Sequence, residues 1–272
     1  MSRYIKHEIK KMFMQWETWA VIVLCFAIAF ITNIETLSWF PDEFIETAKL
    51  RSDRAMFSTS GIGHLQILFM GPLLASIPCA CSYYKEKTDK TDLVLIPRTG
   101  RHQYYISKAV VTWITGFVIA VLPELIHYLF CVIALPEKEI ALSKVYDVYE
   151  QNYDIALNDY IAFPKLFMNY PGIDTLVHFI IYGFWVSMLT FFTYTTSLFF
   201  RKNIVTTLVA STVANMILAL FVPPFLSYGT YVSTTISTTD RNFPAFVLFW
   251  AILMIVNIIM LAVKLRWEKD IL

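Results

Sequence analysis

Apolar residues in this chain are gathered into long blocks, and polar residues into the stretches between them. The blocks run about Thr18–Ile34, His64–Tyr84, Ile106–Leu135, Thr175–Phe200, Ile204–Val222 and Pro244–Lys264. A helix needs about 20 mostly apolar residues to cross a bilayer. The pattern therefore predicts an all-α membrane protein with six transmembrane helices in a single transmembrane domain. Span two contains Gly71-Pro72 and Pro78, where kinks are expected. Ahead of span one, Arg3–Glu17 is amphipathic. Tyr4, Ile5, Ile9, Met12, Phe13 and Trp16 fall near helical spacing against Arg3, Lys6, Lys10 and Lys11. Trp together with basic residues favours a helix lying in the membrane interface.

The polar stretches differ in kind. Glu35–Gly63 mixes acids and bases, and Pro136–Asp174 is acidic and Tyr-rich. The latter is too long for a simple turn, so it is expected to be an extracellular segment holding short surface helices. Arg201-Lys202-Asn203 makes a tight turn, Pro223-Pro224 breaks span five, and Phe225–Phe243 is a Ser/Thr-rich connection. The most densely charged run is Tyr83–Lys108, YYKEKTDKTDLVLIPRTGRHQYYISK. Within it, Asp92–Ile96 is a short amphipathic piece with Leu93, Leu95 and Ile96 as its apolar residues. Pro97 is expected to end that piece, since it lacks an N–H and restricts Ile96. A small apolar knob on a rigid turn below a membrane is suited to dock into another protein.

Composition agrees with embedding in lipid: 57% of residues are hydrophobic, 16% are charged, and mean hydropathy is +0.56. A net charge of +1 gives nucleic-acid binding no support. Sorting of charge matters more than its sum. With an even number of spans, both termini share one side with Tyr83–Lys108 and Arg201-Lys202, and that side holds most of the Lys and Arg. The asymmetry predicts that both termini and the basic loop are cytoplasmic.

Chemistry is sparse. No G-x-x-x-x-G-K-[ST], G-x-S-x-G or H-E-x-x-H sequence occurs. If the protein uses ATP, another chain binds it. Glu124 and His127 are the sharpest pair, at i and i+3 of span three after Pro123. Ionisable groups within a span are functional candidates. They would serve a substrate path or a proton relay, against the plainer reading of a hydrogen-bonded pair at a helix seam. Nothing else supplies a matching metal-ligand set. His178 falls near a span end, where an interfacial position is expected. The four cysteines, Cys25, Cys79, Cys81 and Cys131, read as small apolar residues within spans. Ser and Thr of spans four to six, such as Thr190, Thr193, Thr195 and Ser211, read as hydrogen-bonding glue between helices.

The order of these features resembles the permease subunits of ABC-2 type exporters. The N-terminal Ile5-Lys6-His7-Glu8-Ile9-Lys10-Lys11 looks like the start of their elbow helix. Glu86-Lys87, Thr91-Asp92-Leu93, Leu95, Gly100-Arg101 and Lys108 look like their coupling loop, residues 85–105 here. A Gly-Thr pair common in that loop is replaced by Lys90-Thr91. The resemblance implies six spans of the ABC-2 (type V exporter) kind in a bacterial plasma membrane. It also implies pairing with a second permease copy or paralogue, and coupling to a separate ATP-binding cassette subunit that holds ATP and Mg. This chain would be no enzyme and would carry no cofactor of its own. The coupling residues so implied are Glu86, Thr91, Asp92, Leu93, Leu95, Ile96, Pro97, Arg98 and Arg101. The cargo would be an amphipathic peptide, a drug or a lipid. Two other readings stay open: a proton-coupled carrier or membrane enzyme using Glu124 and His127, and a peptide-immunity or sensor component binding through its acidic outer segment.

Overall fold

The computed structural model describes residues 2–38, 63, 66–134, 163–199, 204–223, 226, 231 and 242–267. Among them all regular structure is helical. Helix α1 is Ser2–Phe13 and α2 is Trp16–Ser38. A π-helical turn, Gln66–Met70, leads into α3, Gly71–Thr88. Then come α4, Asp92–Thr99, and α5, Arg101–Ala134. The remaining helices are α6, Pro164–Asn169; α7, Pro171–Ser197; α8, Ile204–Phe221; and α9, Phe243–Trp267.

Among the described residues four helices are long and apolar enough to cross a membrane, by length and composition: Trp16–Glu35, Arg101–Ala134, Gly172–Ser197 and Phe243–Arg266. That is the arrangement of a multi-pass membrane-embedded protein. The other two expected spans are shorter. Helix α8 has 18 residues and α3 has 18, the latter ending in Lys85, Glu86 and Lys87. Span two therefore begins with a π turn ahead of Gly71-Pro72 where a regular helix was expected. Span three starts earlier than Ile106, because α5 runs without a break from Arg101. Span four starts earlier than Thr175, at Pro171, whose fixed φ suits a first helical position. Most of Glu35–Gly63 and of Pro136–Asp174, together with His64, Arg201-Lys202-Asn203, nearly all of Phe225–Phe243 and the tail after Trp267, lie outside the described residues.

Helix α7 is the centre of the bundle and packs against α3, α5, α6, α8 and α9. Glycines let it approach. A Cβ on Gly116 of α5 would lie 2.8 Å from Thr190 Oγ1 and 3.1 Å from Ser187 Cα of α7. At Gly71 a Cβ would come within 2.0 Å of the Tyr182 hydroxyl. Small residues that let backbones close up are how helices associate where lipid removes the hydrophobic incentive. The hydroxyls serve partly as the expected glue between helices and partly bond within their own helix. Ser187 and Thr190 donate back to carbonyls of their own helix, at 2.7 and 2.8 Å. Bonds that cross between helices among the described residues include Ser76 to Ser211 at 2.9 Å, Ser76 to Thr193 at 3.3 Å, Thr195 to Asn257 Oδ1 at 3.3 Å, and Trp185 Nε1 to Asn215 Oδ1 at 2.9 Å. The outward faces of α2, α8 and α9 are apolar, with Phe30, Leu220, Leu248 and Ile259 among their exposed residues. In water such a continuous apolar surface would be a liability, whereas in lipid it is ordinary.

Candidate functional site

The basic end of the bundle is built around α4. Helix α3 is closed by a turn in which the Thr91 N–H donates to the Glu86 carbonyl at 3.0 Å and the Lys90 N–H to the Lys87 carbonyl. Lys90 sits at φ 55, the left-handed position that a glycine more often fills. This turn reverses the chain and starts α4 at once. Pro97 does not end the short helix after Ile96, as the sequence suggested. The helix continues to Thr99 and stops at Gly100, φ 79, whose N–H donates to the Ile96 carbonyl at 2.9 Å. The carbonyl that the missing N–H of Pro97 would have met is that of Leu93. Chain direction then turns again into α5.

Helical spacing gives α4 two faces. On the inner face, Leu95 and Ile96 pack against a cluster of Tyr83, Tyr104, Tyr105, Tyr194, Leu198, Leu261 and Leu265, contributed by α3, α5, α7 and α9. Asp92 is buried and accepts from Lys87 at 3.2 Å, strapping α4 to the end of α3. On the outer face, Leu93 is 66% exposed and Val94 52% exposed. Thr91, Pro97 and Arg98 are exposed beside them, and Arg101 is half-buried. The exposed knob is thus Leu93 with Val94, rather than Leu93 with Leu95 and Ile96.

Beneath α4 lies a buried ion-pair network. Glu86 is 2% exposed. Its Oε1 accepts from Lys108 Nζ at 2.8 Å and from Lys11 Nζ, and its Oε2 accepts from the Tyr104 hydroxyl at 2.5 Å. Lys108, 5% exposed, also donates to Glu8 Oε2 at 3.0 Å. Tyr104 and Lys108 stand one turn apart on α5, so they meet Glu86 from one face. Burial by itself raises the Glu86 carboxyl's pKa. Lys108, with hydrogen bonds from Lys11 and Tyr104, outweighs that and holds it below the usual carboxylate range. A further pair, Lys85 with Glu17, joins α3 to the start of α2. Glu86 is therefore a buried anion that ties α3 to α1 and α5.

The network also reaches α1. Its inward face carries Glu8 and Met12, and Met12 packs on Val111 of α5, while Phe13 and Trp16 are exposed. Helix α1 is tied to α3 and α5 through charge as well as apolar contact. Glu8, Lys11, Tyr104 and Val94 were not singled out from the sequence for these roles. The available signal was Glu8 standing among Tyr4, Ile5, Ile9 and Met12, a charge on an otherwise apolar stripe.

Glu124 and His127 are both buried in α5. His127 Nδ1 meets Asn33 Oδ1 of α2 at 2.6 Å, and its Nε2 lies 3.6 Å from the Cys131 thiol. Since an amide oxygen only accepts, Nδ1 donates and Nε2 is left to accept from the thiol. His127 thus serves the α2–α5 seam. Among the described residues no three His, Cys, Asp or Glu side chains converge on a point where a metal ion would sit. Comparison with models of protein families, with curated proteins and with solved structures yields no match.

Proposed function

We propose that this chain is the membrane-spanning subunit of an ATP-driven exporter of the ABC-2 kind. It pairs with a second permease and couples to separate ATP-binding subunits, with α4 and both termini on the cytoplasmic side of a bacterial plasma membrane. In this reading α1 is the elbow helix, α4 the coupling helix, and α3 with its π turn and α8 complete six spans. The observation that carries it is α4: a short helix between two long ones, with Leu93 and Val94 bare on one side and Leu95 and Ile96 seated in the bundle on the other. A partner that pushes on the bare side moves the seated side. The push passes through Asp92 and Lys87 to α3, through Glu86 and Lys108 to α5 and α1, and through the aromatic cluster to α7 and α9. Bundle ends tied this closely move as a unit.

The test is to purify the chain from its native membrane, identify nucleotide-hydrolysing proteins that come with it, and repeat with Leu93→Asp and Val94→Asp. Loss of the companion in both variants, with the fold intact, supports the reading. Transport of cargo by the chain alone in liposomes, with no nucleotide-hydrolysing protein present, overturns it. The carrier or enzyme reading that rests on Glu124 and His127 draws less support, because His127 Nδ1 is engaged with Asn33 of α2 and its Nε2 faces the Cys131 thiol of its own helix.

A further inference from the structure

At the end of the bundle remote from α4, helix α7 buries a carboxylate and an imidazole one turn apart. Asp174 and His178 are both fully buried, and Asp174 Oδ2 lies 3.5 Å from His178 Nε2. The sequence placed His178 at an interface, yet its ring is enclosed, with the Phe163 ring 5.5 Å away. The other ring nitrogen, Nδ1, is 2.5 Å from the carbonyl oxygen of Tyr231. A carbonyl oxygen only accepts, so Nδ1 carries a hydrogen and donates it. The imidazole is then flanked by two acceptors. In a neutral ring Nε2 would turn a lone pair toward a carboxylate in a dry interior. Among the described residues neither Asp174 oxygen nor His178 Nε2 has a hydrogen-bond partner, so no other described group relieves the opposition.

We propose that Asp174 and His178 form a proton-binding site, in which one proton held between Oδ2 and Nε2 makes the imidazole a donor at both nitrogens and ties Tyr231 to α7. Tyr231 is also held by α9. Its ring lies 4.7 Å from Phe246 and 5.5 Å from Phe243, and its hydroxyl accepts from the Asn242 N–H at 2.9 Å. Binding of the proton thus joins α7 and α9 through one residue. Its release sets a lone pair against a carboxylate, so the ring turns away and the Tyr231 carbonyl loses its donor. Among the described residues neighbouring charge is limited. Helix α5 brings Glu124, His127 and the Tyr128 phenol to its outer half, and α6 carries Lys165, which is exposed. The π turn contributes the uncharged Gln66, and α8 has no charged residue. The charges of α3 and α9 are Lys85, Glu86, Lys87, Lys264 and Arg266, all at the α4 end. The site stands whether or not the chain couples to an ATPase.

The experiment uses the full chain in lipid nanodiscs with 15N-labelled histidine, titrated from about pH 5 to about pH 8.5, the range in which imidazole exchanges its proton. The 5 histidines are assigned by replacing each with Gln in turn. Amide hydrogen exchange of the peptide containing Tyr231 is followed in parallel. The expected result is a His178 ring protonated at both nitrogens on the acid side. Loss of one proton should coincide with a rise of roughly tenfold in exchange at Tyr231, once the intrinsic pH dependence is removed. Asp174→Asn, whose side-chain amide can donate to a neutral Nε2, should abolish that coupling, leaving exchange at Tyr231 low throughout. If the variant does not fold, the wild-type titration decides by itself. A His178 Nε2 that stays unprotonated over the whole range, or exchange at Tyr231 that ignores its titration, overturns the proposal.

Discussion

Replacing Lys108 with Met tests the base of the bundle most directly. The side chain is 5% exposed and its ammonium serves two carboxylates, Glu86 at 2.8 Å and Glu8 at 3.0 Å. Methionine keeps the length and the apolar stem but removes the charge. Removing one partner of a buried pair costs about 3–5 kcal/mol, because the other charge stays in a poorly solvating place. Glu86 retains Lys11 and Tyr104, which places the loss near the lower end, about 3 kcal/mol. Glu8 loses the cation it is bonded to. For a chain of this size each kcal/mol moves the unfolding midpoint by about 2–4 °C, so a drop of roughly 6–12 °C is expected in detergent or nanodiscs. Circular dichroism on heating reads it. Lys85→Met is the control: Lys85 is 47% exposed, and its pair with Glu17 should matter by less than about 1 kcal/mol. Adding Glu8→Gln to Lys108→Met should recover part of the loss, since the stranded charge is gone. A Lys108→Met midpoint within about 2 °C of wild type would refute the claim that these charges are buried together.

Other expectations follow from the same geometry. Glu86 has a folded pKa below its unfolded one, so its stabilisation is complete above the unfolded value of about 4.3 and is lost as pH falls through the folded value. Glu86→Gln should therefore lower the midpoint at pH 7 and flatten its decline on acidification, read by melting curves across pH. Leu93→Asp, at a 66% exposed position, should change stability by no more than about 0.5 kcal/mol, whereas Leu95→Asp, packed on the tyrosine cluster, should destabilise by several times that. Denaturant titration separates the two. Gly116→Ala puts a methyl 2.8 Å from Thr190 Oγ1 and should cost about 1–3 kcal/mol, seen as a lower midpoint. Gly100→Ala meets no atom within 4 Å, so its cost should be backbone strain alone, about 1–3 kcal/mol.

The chain by itself determined where apolar blocks lie, and with them an all-helical, membrane-embedded architecture. Block length and hydropathy are local properties, readable without knowing what packs on what. It also determined that a short helix interrupts the basic run between two long ones, because Asp92–Ile96 is amphipathic on its own. Folding decided which side of each helix does what. Leu93 and Leu95 look alike in sequence, yet one is bare and the other is seated, since that depends on how the turn at Lys90 aims α4. Glu86 reads as one more loop charge until α1 and α5 bring Lys11, Lys108 and Tyr104 to it from positions far apart in the chain. Asp174 and His178 look like residues at a span end until Tyr231, more than fifty positions on, closes over them. Electrostatics in a poorly solvating interior is a property of which charges meet, and only the tertiary structure arranges the meeting.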